Sequence, residues 1–501
     1  MHTPKQSDRP AFPAPVYRDT VLAPIFADAK KYFLEPLLRI ERVHTLMLAR
    51  QGIMSPPDAT ACLRALDALD IPSILATPYD GSFEDLFFLV ERDLAAEAGE
   101  AAERMHTARS RNDIDLTMYR MLMRKRLLDF LQAQLQLRST LVALAEEHRA
   151  ALMPAYTHNQ PAQPTTLGHY LMAMVEILER DAQRVCSAYV RVNRSPLGAC
   201  AITTTGFPID RDYTANLLGF EGLQTNSYGA IAAVDYLAES CSVLATAMVS
   251  LGRFAQDLLL WSTAEFGYLR LSDGFVQISS IMPQKRNPVP LEHVRILASR
   301  ALTRAQSVLG CLHNTPFADM NDAEDPLQPE AYHALEDAEH AVQLLSAALS
   351  EATFRLDRMA KAAEGSFLTV TELADTLVRE SGMSFHEAHG IVSRAVRSLP
   401  DGYDRDAMAK FVVAELAAWP GRAAKVPLDK VLTALDATNF IAVRRVPGGP
   451  ALEALQPEID RAQRQLQRDG EWLAKVEADL ATAEQRTLAA SNELLHHPHA
   501  I

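Results

Sequence analysis

The chain has 501 residues, 48% of them hydrophobic and 22% charged, and carries a net charge of −14. That balance is the composition of a folded globular protein and excludes global disorder. The acidity excludes a general nucleic-acid binder, which needs a basic surface to displace counterions from phosphate. A chain this acidic that binds an anion must gather its cations locally. The length calls for several domains, or for one long helical core with smaller ends. The cysteines Cys62, Cys186, Cys200, Cys241 and Cys311 are widely spaced and form no CxxC pair, which suits a reducing compartment and buried thiols. Residues 1–15 lack the pattern of a secretory leader, and no apolar run approaches the roughly 18 residues of a membrane span, so the expected location is the cytoplasm.

In chain order, residues 1–20 read as a loose arm. Apolar residues at three-to-four spacing from Ile25 to Leu69 predict helix, interrupted and restarted at Pro56-Pro57-Asp58. Asp80-Gly81-Ser82 reads as a turn, with Ser82 a candidate cap for the helix of Phe83, Leu86, Phe87 and Val90. Residues 114–148 contain no proline or glycine and predict a long helix. Residues 165–193, 229–264, 288–313 and 329–361 predict four more. Helices of this length with broad apolar faces imply a bundle that one subunit would struggle to bury, and therefore an oligomer. Beyond Gly365 shorter helices are expected at 370–380, 384–398, 405–419 and 427–436. Pro447-Gly448-Gly449-Pro450 breaks the chain, and 451–495 reads as one polar helix or a helical hairpin. The expected fold is all-α: an N-terminal helical domain over 1–113, a central long-helix bundle over 114–364, and a C-terminal helical domain with a helical tail over 365–501.

Three polar clusters could carry chemistry. Ser279-Ser280-Ile281-Met282-Pro283-Gln284-Lys285-Arg286-Asn287-Pro288 combines hydroxyls, cations and an amide ahead of a helix that Asn287 could cap. Hydroxyl and ammonium donors beside a helix N-terminus suit a carboxylate, although a polar interhelical loop has the same pattern. His106-Thr107-Ala108-Arg109-Ser110-Arg111-Asn112-Asp113 sets two arginines before a long helix, where a guanidinium can grip a carboxylate with two prongs; a capped helix start with solvated arginines reads equally well. Pro154-Ala155-Tyr156-Thr157-His158-Asn159-Gln160-Pro161-Ala162-Gln163-Pro164 confines a histidine, a potential proton carrier, in a polar loop between two helices. A lone loop histidine is more often ordinary surface. His386-Glu387-Ala388-His389 is one residue short of zinc-protease spacing and reads as helix surface. No glycine-rich phosphate loop and no metal-ligand cluster stands out.

Together the three clusters resemble the argininosuccinate lyase family of the aspartase/fumarase superfamily. The first is similar to its GSSxMPxKxNP signature, the second to HTGRSRND and the third to YTHxQxAQP. Further matches are Ser195-Pro196-Leu197-Gly198-Ala199, Phe207-Pro208-Ile209-Asp210-Arg211, Trp261-Ser262-Thr263-Ala264-Glu265-Phe266-Gly267 and Val446-Pro447-Gly448-Gly449-Pro450. The resemblance spans about residues 30–465. It implies a three-domain, mostly helical chain in a homotetramer, with composite active sites drawn from three subunits. It also implies carbon–nitrogen bond elimination that releases fumarate with no cofactor or metal. Carried over by motif, Ser279 is the expected base. Ser280, Lys285 and Asn287 would bind the substrate carboxylates, and Ser110, Arg111, Asn112 and Thr157 the succinyl half. His158 would assist proton delivery or hold a carboxylate, oriented by Glu292.

The departures bear on the substrate. Ile278 stands where the signature opens with glycine. Glu41 stands where the family usually has serine, and Phe87 where it has histidine. Gly229, Ala233 and Val234 replace charged positions. The stretch Pro316–Pro326 has no tyrosine and no lysine and carries added acids, which disfavours an amino-acid tail with its α-carboxylate. The expected substrate is an N-substituted aspartate with an amine leaving group, an aminopolycarboxylate such as ethylenediamine-N,N'-disuccinate (EDDS). The reaction is reversible as amine addition to fumarate. Argininosuccinate is the alternative, and a non-catalytic crystallin-like role stands behind both, since Ser279 and His158 are retained.

Overall fold

The computed structural model describes residues 12–419 and 426–497. Its body is built on long helices, as the sequence pattern requires. We number the elements used below in chain order: α1 Leu34–Arg50, α2 Leu86–Ala98, α3 Arg111–Glu147, β1 Leu152–Thr157, β2 Gln160–Thr166, α4 Leu167–Val192, α5 Ser227–Ala232, α6 Asp235–Trp261, β3 Gln277–Ile278, β4 Arg286–Asn287, α7 Val289–Leu312, α8 Gln328–Ser350 and α9 Leu452–His496. Helices α3, α4, α6, α7 and α8 pack side by side. The 37 residues of α3 make a rod about 55 Å long. Fully buried Leu127, Leu131, Leu137 and Leu141 of α3 meet Leu171, Val175 and Val185 of α4 and Leu345 of α8 in one continuous core. In α6 an 18-residue stretch is apolar enough, by length and composition, to cross a membrane, contrary to the sequence expectation. Here one face of the helix packs against α7, α4 and α8, with Leu237, Leu244, Leu251 and Leu258 buried, while Val249 and Leu260 are exposed.

Several local expectations are corrected. The helix expected over 329–361 stops at Ser350, because Thr353–Phe354 leaves it to pair with Leu269–Arg270; a separate helix, Leu356–Glu364, follows. The cap of α2 is Asp85, whose carboxylate accepts the Phe88 N–H at 3.1 Å, while Ser82 donates its own N–H to Asp80. Asn287 does not cap α7; Pro288 holds that position. The loop of the third cluster is a hairpin: β1 and β2 pair antiparallel, with Pro154 opposite Pro164 and a bulge between Ala155 and Tyr156. A two-stranded ribbon has only edges, so prolines can sit where no N–H is needed. Residues 1–11 of the expected loose arm lie outside the described residues, but Pro15–Tyr17, Arg18–Leu22 and Ala23–Tyr32 are helical, the middle piece a π-turn.

A second apolar core gathers Leu373, Leu377, Ile391, Met408, Val412 and Val431. The C-terminal tail is one helix, α9. Its apolar stripe, Leu455, Ile459, Ala462, Leu473 and Val476, packs into the main core. Its Asp469 pairs at 2.5 Å with Arg138 of α3, a guanidinium with no solvent exposure, and its Arg461 pairs at 2.7 Å with Glu179 of α4.

Candidate active site

The second cluster forms the entry to α3. Asp113, in the first turn of that helix, accepts the N–H of Ser110 at 2.9 Å, of Gly198 at 2.8 Å and of Cys200 at 3.0 Å. One carboxylate thus ties the helix start to the 198–200 loop. Burial nevertheless pushes Asp113 up to about 6, against the pull of those three bonds. Ala108 is left-handed, at φ +62°, and its carbonyl accepts the Cys200 thiol at 3.2 Å. Arg109 turns inward to Glu41 of α1 at 2.7 Å and lies over the Phe87 ring at 5.8 Å. His44 meets the Thr107 carbonyl at 2.8 Å; burial first, and then Arg109, lower it to about 3, so it is neutral at physiological pH.

Arg111 points the other way, out of the helix start, and pairs with Glu84 at 3.1 Å and with Asp85. Asn112 accepts from Ser110 Oγ at 2.8 Å and donates its amide to Asp319 of the 316–326 stretch. These groups open onto a cleft of about 510 Å³. Its acidic lining is Glu84, Asp85, Asp115, Asp319, Glu324 and Asp325, and its apolar lining includes Phe12, Tyr17, Val21, Leu22 and Ile25. Burial and the neighbouring Asp319 push Glu324 up to about 8. Burial pushes Asp325 up to about 6, although the Tyr119 hydroxyl donates to it. Burial and the charge of Asp325 also raise Asp115. Among the described residues Arg111 is the one cation lining this cleft, and it is shared between two carboxylates. Sequence reasoning flagged the 316–326 acids but missed Glu84, Asp85 and Asp115. The spacing of Asp115, four residues past Arg111 on one face of α3, was the available signal.

The serine loop, residues 279–285, is held by a short ladder in which β3 pairs with β4, Ile278 opposite Arg286. Ile278 is extended there, a backbone state that isoleucine adopts readily, so the missing glycine costs the ladder nothing. Ser279 Oγ accepts the N–H of Met282 at 3.1 Å. Arg286 anchors the loop to Asp273 at 2.6 Å and to the Leu271 carbonyl at 3.0 Å, and the Asn287 amide donates to the Gln277 carbonyl at 3.0 Å. Ser280 and Lys285 are exposed. At the tip of the β1–β2 hairpin, His158 and Asn159 have φ of +52° and +59°, the backbone signs of a type I′ turn. Thr157 and His158 are exposed there. Glu292, exposed on the first turn of α7, makes no hydrogen bond to His158 within the chain. Among the described residues, no hydrogen bond, ion pair or ring contact joins any of the three clusters to another.

Comparisons with known proteins agree with the motifs. Residues 87–303 match the family described as Lyase, and residues 367–442 match the argininosuccinate lyase C-terminal family. Argininosuccinate lyase 2 of Agrobacterium fabrum is 42% identical over 461 residues, covering 90% of this chain and 91% of that protein. The argininosuccinate lyase of Methanoculleus marisnigri is 38% identical over 463 residues, covering 91% and 92%. The crystal structure of EDDS lyase in complex with formate matches with a TM-score of 0.85 at 32% identity, covering 96% of this chain and 97% of that one. A doubly substituted form of EDDS lyase with bound fumarate matches equally well. The all-α architecture, the serine-loop ladder and these similarities converge: the chain belongs to the argininosuccinate lyase family of the aspartase/fumarase superfamily, and it is a carbon–nitrogen lyase.

Proposed function

We propose that this lyase releases fumarate from an N-substituted aspartate whose leaving group is a cationic amine, an aminopolycarboxylate such as EDDS, and that it can run in reverse as amine addition to fumarate. The acidic cleft is the observation that carries this reading. Asp319 is hydrogen-bonded to Asn112, so the succinate-binding position and the acidic lining adjoin. A protonated amine gains from those carboxylates. With EDDS the first elimination leaves N-(2-aminoethyl)aspartate, whose ammonium can meet this lining, and the second releases the carboxylate-free diamine that suits it best.

In this reading Ser279 removes the proton from the carbon beside the carboxylate. The electron pair left there forms the double bond of fumarate as the C–N bond breaks, and the nitrogen leaves with its bonding pair and takes up a proton. Ser280, Lys285 and Asn287 stabilise the charge that develops on the carboxylate, as preplaced donors must. Ser110, Arg111, Asn112 and Thr157 hold the succinyl half. His158, oriented by Glu292, moves a proton or holds a carboxylate. No cofactor enters. Among the described residues the three clusters do not join within one chain, which supports a homotetramer with sites composed from three subunits.

Argininosuccinate is the second reading, favoured by the 42% identity to an enzyme of that name. Incubation with fumarate and a panel of ethylenediamine, ammonia and arginine, followed by ultraviolet loss of fumarate and mass analysis of adducts, tests both. A diamine adduct is expected. Adducts with arginine alone overturn the amine assignment.

A further inference from the structure

The cleft has a second wall, and its chemistry differs from the first. It comes from the N-terminal arm, where the π-turn Arg18–Leu22 lies between the single turn Pro15–Tyr17 and the helix Ala23–Tyr32. A π-turn is wider than an α-turn, so residue 17 has both 21 and 22 as neighbours one turn on. Tyr17, Val21, Leu22 and Ile25 can therefore all line the same cleft. Phe12 extends this surface, its ring edge-on to Tyr17 with centroids 6.1 Å apart.

The wall is preformed. Phe26, just past it, packs against Tyr79 and Phe83 with centroids 5.4 and 5.2 Å apart. Lys30 Nζ ties the arm to the carbonyls of Leu75 at 2.8 Å and Thr77 at 2.6 Å. Yet within one chain the wall itself is uncovered: Tyr17 is 42% and Val21 39% exposed. Large apolar side chains held open against a cleft gain free energy when something apolar is laid on them.

We propose that Tyr17 and Val21 are specificity-determining residues for the leaving group, and that the cleft takes amines whose cationic nitrogen carries an alkyl or aryl body, the body lying against the N-terminal arm and the nitrogen toward the carboxylates. This rests on the amine reading above and deepens it. Ammonia or methylamine reaches the acidic lining but leaves the arm uncovered. Each further methylene laid on the arm is worth about fourfold in affinity, and because the wall is already in place little of that gain is spent on ordering it.

The full chain is assayed for addition of methylamine, butylamine and benzylamine to fumarate, and the quantity read is the ratio of kcat/KM for benzylamine to that for methylamine. A ratio of about tenfold or more is expected in the native protein. The double variant Tyr17→Ala/Val21→Ala should bring it down about tenfold, and Val21→Ser alone about threefold. A ratio is insensitive to the amount of folded enzyme, and the mild single variant covers poor folding of the double one. A native ratio near one overturns the proposal, as does a ratio unmoved in both variants. Failure of the native protein to add any amine to fumarate overturns the amine reading itself, and the proposal with it.

Discussion

The carboxylate of Glu41 lies 2.7 Å from Nη2 of Arg109, and the two side chains are 3% and 2% exposed. They lock α1 to the segment that leads into Ser110, Arg111 and Asn112. Two other nitrogens of Arg109, Nε and Nη1, have no hydrogen-bond partner, so the desolvation of this pair is only partly repaid. Glu41→Gln should therefore cost about 3–5 kcal/mol of unfolding free energy by leaving a buried cation alone, while the double variant Glu41→Met/Arg109→Met should recover much of that loss. Chemical denaturation of the three proteins checks this; equal losses in the single and double variants would show that the pair is not coupled.

Ser279→Ala tests the base. Turnover should fall about 10²–10⁴-fold or more, with thermal stability nearly unchanged, because the residue sits on a loop and its Oγ accepts only local N–H groups. Near-normal turnover would remove Ser279 from the mechanism.

The crowded carboxylates make stability depend on pH. Glu324, its pKa raised to about 8, faces Asp319, Asp325 and Arg111. A raised carboxylate binds more protons in the folded than in the unfolded state, so its contribution to stability falls as pH rises from the ordinary carboxylate range through about 8. The melting temperature should decline across that window, and Glu324→Gln should flatten the decline. A bound diamine should also flatten it, because a cation stabilises the ionised carboxylates. A melting temperature that rises from pH 5 to pH 8 in the native protein contradicts this account.

Ala108 is a non-glycine residue at φ +62°, a conformation that costs an L-residue about 1 kcal/mol or more. The family segment has glycine there. Ala108→Gly should raise stability by a few tenths to about 1 kcal/mol, the relief of strain being partly offset by the freer unfolded chain. A loss greater than about 1 kcal/mol would mean that the methyl group packs favourably enough to outweigh the strain.

Much of the architecture is legible in the sequence. The span of α3 shows as an uninterrupted run free of proline and glycine, and the three clusters show as polar islands between helices. What could not be read is what depends on distant partners. The Pro154–Pro164 hairpin looks like a loop because its prolines resemble breakers, and only the pairing of Pro154 with Pro164 shows that no ladder N–H is missed. Glu41 stands out as a departure from the family, but nothing local points to Arg109. Asp115 looks like one solvated carboxylate on a helix until Glu324 and Asp325 come up against it. The helix over 329–361 fails at 351 because a two-residue strand finds its partner at Leu269–Arg270.

The pairing of Arg138 with Asp469 joins residues 331 positions apart. α3 is made well before α9, and until α9 arrives the guanidinium at the middle of the bundle has only the more distant Glu179 of α4, at 4.0 Å, as a counter-charge. Contacts of this sequence separation are slow to form, and the groove they close exposes apolar surface meanwhile. A chain whose α9 has not yet docked therefore holds an unsealed seam along α3, and the arrival of α9 is the event that lets the body close.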